Sequence, residues 1–250
     1  FAPVVAPDQY DAEMKDKQYI YGGQLNFTYK IIDCLSAAFG IRANYYDGYY
    51  RGHVKAAQST LGELANLSLD VDQKGWGFTP IVSLAFHKGP LTLSARYEFR
   101  TKIETKNETN SLNANLNTAT LVEEPLAQLV AAGALPAETA IAMAQSIRTK
   151  VESSLGGYIQ PYQDGVKTRY DMPAMLSIAA GYEFNKNLRA ALEYHFFDDK
   201  NAQMANDRQK ELTHGTHEIL AGIEWDINDK FTVSCGGQRT DYGLSDGYQQ

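Results

Sequence analysis

The sequence predicts an all-β chain: an antiparallel transmembrane β-barrel of the outer-membrane type with a helical loop insert. Three observations predict it. Hydrophobicity alternates with period two over segments of about ten residues. The polar faces of these segments carry full charges of both signs, and the apolar faces are aromatic at their ends. The connections alternate between tight turns and long polar stretches.

The stretch Gly75–Ile103 shows the first two most clearly. Trp76, Phe78, Val82, Leu84 and Phe86 share one face, with Thr79, Ser83 and Ala85 on the other. After a tight turn at His87–Pro90, Leu91, Leu93, Ala95, Tyr97 and Phe99 share one face, opposite Thr92, Ser94, Arg96, Glu98 and Arg100. Successive strand side chains point to opposite faces, so one face suits lipid and the other a polar lumen. A soluble sheet with one wet face also alternates, so the connections have to decide.

In chain order, residues 1–18 read as polar and irregular. Tyr19–Ile31 then alternates, with Tyr19, Tyr21, Leu25, Phe27, Tyr29 and Ile31 against Gln24, Asn26, Thr28 and Lys30. A turn at Ile32–Cys34 leads into Leu35–Tyr45, which sets Arg42 and Asn44 on its polar face. Residues 46–74 read as a long polar connection. The hairpin of 75–103 follows, and then a polar stretch rich in Asn and Thr over Glu104–Asn117. Two helices are predicted next. Pro125 opens one that ends before Gly133, and Pro136 opens another that ends at Gly156–Gly157. Ile141, Ala144, Ile147, Val151 and Leu155 give the second an apolar stripe at helical spacing. Strands resume at Met172–Phe184 and Leu188–Phe197, around a turn at Asn185–Asn187. After a long connection at 198–215 come Glu218–Ile227 and Phe231–Thr240, around a turn at Asn228–Lys230.

This reading has eight strands in four hairpins, with tight turns at 32–34, 87–90, 185–187 and 228–230. The connections 46–74, 104–171 and 198–215 are all long. Short periplasmic turns and long extracellular loops are the habit of outer-membrane barrels. Both termini would then lie on the extracellular side, whereas a complete bacterial barrel starts and ends in the periplasm. Residues 1–250 are therefore expected to be one partial barrel domain, with strands missing at both ends, and 113–165 a helical extracellular insert within it. The chain begins at Phe1 without a signal peptide, so it is expected to be mature or to lack its N-terminus, and the strand count favours the latter.

Composition agrees. The chain has 250 residues, a mean hydropathy of −0.38 and no apolar run long enough for a transmembrane helix, which leaves a barrel open. Tyr (16) far outnumbers Trp (2), as interfacial girdles and strands allow. The net charge of −7, without a basic stripe, argues against nucleic acid. Cys34 and Cys235 form neither a metal motif nor a disulfide framework.

Three stretches resemble the FadL-type long-chain fatty-acid transporters of bacterial outer membranes: Gly75-Trp76-Gly77-Phe78, Phe99-Arg100-Thr101-Lys102-Ile103, and Met172-Pro173-Ala174-Met175-Leu176-Ser177. Their order and hairpin context match as well. The resemblance, over roughly residues 19–242, implies a fourteen-stranded barrel with an N-terminal hatch, to which this chain would give a central run of strands. It implies a bacterial outer-membrane location and passive diffusion of hydrophobic molecules, long-chain fatty acids above all, through a plugged monomeric barrel in contact with outer-membrane lipid. The hatch with its Asn-Pro-Ala start is absent here, so no binding residue carries over from the family. The alternative is a general porin or adhesion barrel without a hydrophobic ligand. A soluble β protein that binds carbohydrate or a partner is a third reading.

No nucleophile, phosphate-loop, zinc or dinucleotide motif is present, so neither catalysis nor a cofactor is expected. His214 and His217 lack a third metal ligand, and Asp198, Asp199 and Asp207 read more simply as a solvated acidic loop than as a calcium site. The candidate ligand-contacting residues are Arg42, Arg96, Arg100 and Arg189, all expected on the lumen face. A guanidinium fork suits a fatty-acid carboxylate. The competing role for these arginines is structural pairing with Glu98, Glu193 and Glu224.

Overall fold

The alternating segments become strands. The computed structural model, which describes residues 7–245, has in order β1 (Gln9–Ile32), β2 (Leu35–Gln58), β3 (Gly62–Lys88), β4 (Leu91–Glu98), β5 (Glu104–Leu116), α1 (Glu124–Ala131), α2 (Ala137–Ile159), β6 (Lys167–Arg169), β7 (Met175–Asn185), β8 (Leu188–Phe197), β9 (Thr216–Asn228) and β10 (Phe231–Asp241). They form one sheet in the order β1-β2-β3-β4-β7-β8-β9-β10, with β5 beside β3 and β6 beside β5. The neighbours from β3 through β4 and β7 to β10 run antiparallel.

All four predicted tight turns are present, at 33–34, 89–90, 186–187 and 229–230. Their chemistry is local. Asn185 Oδ1 accepts the amides of Asn187 and Leu188 at 2.9 and 3.0 Å. Asn228 Oδ1 accepts those of Lys230 and Phe231 at 2.9 and 3.1 Å. Such Asx turns close a hairpin with the side chain in place of a backbone carbonyl.

The chain divides into two compact units: 7–19, 47–74 and 106–167 in the first, and 20–46, 75–105 and 168–245 in the second. In the second unit the register lines up Leu84, Ala95, Ile178, Tyr194, Ile219 and Arg239 across one face. The neighbouring row, Ser83, Arg96, Ser177, His195, Glu218 and Thr240, lies on the other. Among the described residues nothing covers the apolar row: Leu84 is 51% exposed, Ile178 48% and Ile219 53%. Exposed side chains of this kind on every strand are what lipid covers in a membrane barrel.

In the first unit, Leu64, Leu69 and Val71 of β3 are buried. Asn107 of β5 is fully buried and hydrogen-bonds to Gln73 at 2.8 Å. Its amide also donates to the carbonyls of Pro161 and Gln163, at 2.8 and 3.2 Å, which fastens the chain after α2 to β5.

Several sequence expectations change. Residues 9–18, read as irregular, are strand; residues 1–6 lie outside the described residues. The supposed connection 46–74 is a continuation of β2 and β3 around a tight turn at 59–61, where Gly62 adopts φ +77°. The separation of short from long connections is thus less strict than expected, since the length of 46–74 lies in strand arms. Glu104–Asn117, read as a polar stretch, is mostly β5. Residues 9–18 and Glu104–Asn117 are polar on both faces, so hydropathy does not alternate even though the backbone pairs; in 46–74 only the short run Leu67, Leu69, Val71 alternates, with Ser68, Asp70 and Asp72 between. In β5 it is Thr105 and Asn107 that are buried, and they are held by hydrogen bonds. The second helix continues through Gly156–Gly157 to Ile159, and a turn containing Pro161 follows.

The strand expected over 91–103 stops at Glu98. Thr101 makes a single two-way bridge to Met172, with both N–H···O distances 3.0 Å. Continued alternation would put Thr101 and Ile103 on the apolar face with Phe99. Instead both are fully buried, because a one-residue slip turns every later side chain to the opposite face. The strand expected from Met172 likewise starts only at Met175.

Candidate functional site: an ion-paired sheet face and a helical groove

Arginines and carboxylates pair within a strand, between neighbouring strands and across one intervening strand to build the polar face of the second unit. Arg42 of β2 donates to both oxygens of Glu98 on β4, at 2.9 and 3.2 Å, and through Nε to Gln24 at 2.9 Å. Arg96, two residues before Glu98, also pairs with it. Glu98 is only 8% exposed, so two cations compensate its charge where water does not. Asn44 donates to Thr79 at 2.9 Å, and Thr79 in turn meets Thr101.

Further along the sheet, His195 sits between Glu193 (2.7 Å) and Glu218 (3.2 Å), and Ser177 donates to Glu193 at 2.9 Å. Arg189 pairs with Asp226 at 2.8 Å and with Glu224. Between these ionic rows, Thr92, Gly181, Ala191, Gly222 and Gly236 floor a shallow trough of about 530 Å³.

The four predicted arginines therefore do not converge. Arg42 and Arg96 meet on Glu98, and Arg189 lies near the tight-turn end on its own pair of carboxylates. Arg100 is on no strand; it donates to the carbonyl of Asn201 in the 198–215 connection. The three aspartates of that connection each have separate work. Asp198 accepts from the Asn201 amide at 2.7 Å, and Asp199 from the Thr216 backbone at 3.0 Å. Asp207 accepts from Lys210 at 2.6 Å and Gln209 at 3.2 Å, and the Lys210 bond first, then that of Gln209, holds its carboxyl below the ordinary aspartate value. Among the described residues no cluster of three or more His, Cys, Asp or Glu is arranged to hold a metal.

The first unit holds a different site. α1 and α2 do pack on each other, as the apolar stripe predicts, but an apolar groove of about 450 Å³ remains between them. Leu126, Ala127, Val130, Ala140, Ile141 and Ala144 line it, and the ion pair of Glu123 with Arg148 stands at its rim. Ile141 is 59% exposed. The helical spacing marks these residues as apolar; that the groove stays open is a matter of how the helices pack.

Two solved structures share this architecture. A Pseudomonas aeruginosa FadL homologue superposes with a TM-score of 0.59 at 12% identity, over 92% of this chain and 51% of that one. The Ralstonia pickettii toluene transporter TbuX superposes with a TM-score of 0.51 at 9% identity, over 90% of this chain and 56% of that one. The chain thus spans about half the length of the structures it matches. No protein-family model and no curated protein matches it. The fold is of the outer-membrane β-barrel type and is similar to that of the FadL homologue.

Proposed function

We propose that the chain is part of a bacterial outer-membrane barrel that passes hydrophobic molecules by passive diffusion, without covalent chemistry. The observation that carries this reading is that the same strands present an uncovered apolar face and an ion-paired polar face. The first suits lipid and the second an aqueous or plugged interior. In this reading the tight turns face the periplasm, and 113–165 forms an extracellular insert. The barrel works as a monomer around a plug. The sequence resemblance favours long-chain fatty acids as cargo.

A second reading of the cargo has its own support. Arg42, Arg96 and Arg189 each pair with a carboxylate, and Arg100 is spent on a backbone carbonyl. That favours a neutral hydrocarbon over a carboxylate-bearing one. The full-length protein, expressed in cells lacking other hydrophobe channels, separates the two through uptake of oleate and of toluene. With Arg100→Gln, the fatty-acid reading expects slower oleate uptake at an unchanged melting temperature. Oleate uptake unaffected per folded barrel, with toluene admitted, favours the neutral cargo. Admission of neither overturns the hydrophobe reading and leaves a general porin or adhesion barrel.

A further inference from the structure

The apolar face of β7 to β10 carries one arginine and no lysine among the described residues. That arginine is Arg239 on β10, opposite Ile219 and in the same row as Tyr194. It is exposed, and no described side chain pairs with it. Every arginine discussed on the polar face is paired, so a lone one facing lipid needs an explanation. An arginine facing lipid is costly at the bilayer midplane and nearly free of that cost at the interface.

Depth resolves part of this. Phe231, at the tight-turn end of β10, is eight residues away. At about 3.3 Å per residue and a tilt of about 45°, Arg239 stands roughly 19 Å above it, close to the far edge of an apolar band about 25 Å tall. Interfacial rings mark the same edge. Tyr194 shares the row of Arg239, and Phe196 and His217 form the next. Tyr194 Oη lies 2.7 Å from His217 Nδ1, and the His217 ring lies 5.0 Å from that of Phe196 and 5.5 Å from that of His214. His217 is the diagonal neighbour of Arg239 across the strand pair, within reach of a long side chain. One carboxylate is nearby: Asp241, opposite His217, whose Oδ1 is 3.8 Å from His214 Nε2.

Resting on the outer-membrane reading above, we infer that Arg239, with His217, His214 and Tyr194, forms a lipid-facing site for the phosphate of an anionic membrane lipid. The guanidinium fork matches a phosphate bidentately. The rings flank the sugar or acyl part at headgroup depth, and the site has no lumen access, so it plays no part in taking up cargo.

The test uses the full-length protein, folded in dodecyl maltoside and checked by heat-modifiability. Native mass spectrometry follows binding of diphosphoryl lipid A, of the same lipid without its phosphates, and of inorganic phosphate. The phosphorylated lipid should bind about tenfold tighter than its dephosphorylated form, and Arg239→Gln should erase that preference. Arg239→Lys, which keeps the charge but loses the fork, should retain part of it. Equal binding of the two lipids by the wild-type protein overturns the inference whether or not any variant folds. So does a preference that survives Arg239→Gln, or displacement of the lipid by millimolar inorganic phosphate, which would mark a free-anion site. A protein that stays soluble and folded without detergent overturns the membrane reading and this site with it. A detergent-folded barrel that ignores lipid phosphate overturns the site alone.

Discussion

Glu98 shows what the charged residues of the polar face do. It takes three hydrogen-bonding contacts from two arginines at low exposure. Glu98→Gln would leave Arg42 and Arg96 facing each other without a counter-charge, at a cost of about 2–3 kcal/mol. Urea unfolding of the full-length protein in detergent should show this, and Arg96→Gln, which removes the more solvent-exposed member of its pair and leaves Glu98 its contacts with Arg42, should cost less. Asp207 makes a contrasting case in an exposed loop. Because the Lys210 bond depresses its pKa, its contribution to stability is present above the ordinary aspartate pKa and is lost as pH falls through the lowered value. Its carboxyl carbon resonance should titrate below that of an unstructured aspartate, and Lys210→Ala should move it back up. A titration unmoved by Lys210→Ala would assign the depression to another group.

At the scale of elements, the interruption between β4 and β5 explains the glycines of Gly75-Trp76-Gly77-Phe78. A Cβ on Gly77 would come within 2.6 Å of Thr101 Cγ2 and 2.8 Å of the Lys102 carbonyl oxygen. One on Gly75 would stand 2.6 Å from the Glu104 carbonyl oxygen. The inward-turned segment at 101–105 therefore packs directly on β3 backbone, where only glycine leaves room. Gly77→Val should destabilise the full-length barrel by about 1–3 kcal/mol through overpacking, whereas valine at Gly237, where a Cβ meets nothing within 4 Å, should cost far less. Equal losses at the two positions would refute the packing account.

For the whole molecule the outstanding matter is direction in the membrane. Asn187 lies in a tight turn, and Asp207 lies in the long connection 198–215. In a cysteine-free full-length protein on intact cells, an impermeant thiol reagent should label Asp207→Cys and spare Asn187→Cys. Labelling of Asn187→Cys alone would invert the proposed orientation.

The sequence alone determined the two-faced strands, because burial against lipid on one side and pairing on the other demand opposite residue types every second position. It determined the four tight turns for a similar local reason, and the helices from proline starts and the apolar stripe of α2. Tertiary structure decided the remainder. The strand end 9–18 and the strand β5 are polar on both faces, so only backbone pairing reveals them, and within 46–74 the alternating run Leu67, Leu69, Val71 is too short to mark the long strand arms. Arg100 lies off the strands because β4 ends at Glu98, after which the chain slips by one residue, a shift that depends on the Thr101–Met172 bridge and on Asp171 Oδ1 taking the Ile103 amide at 3.3 Å. No periodicity within a single strand encodes those partners, some seventy residues away, and so the side on which Thr101 and Ile103 lie was settled by the neighbouring chain.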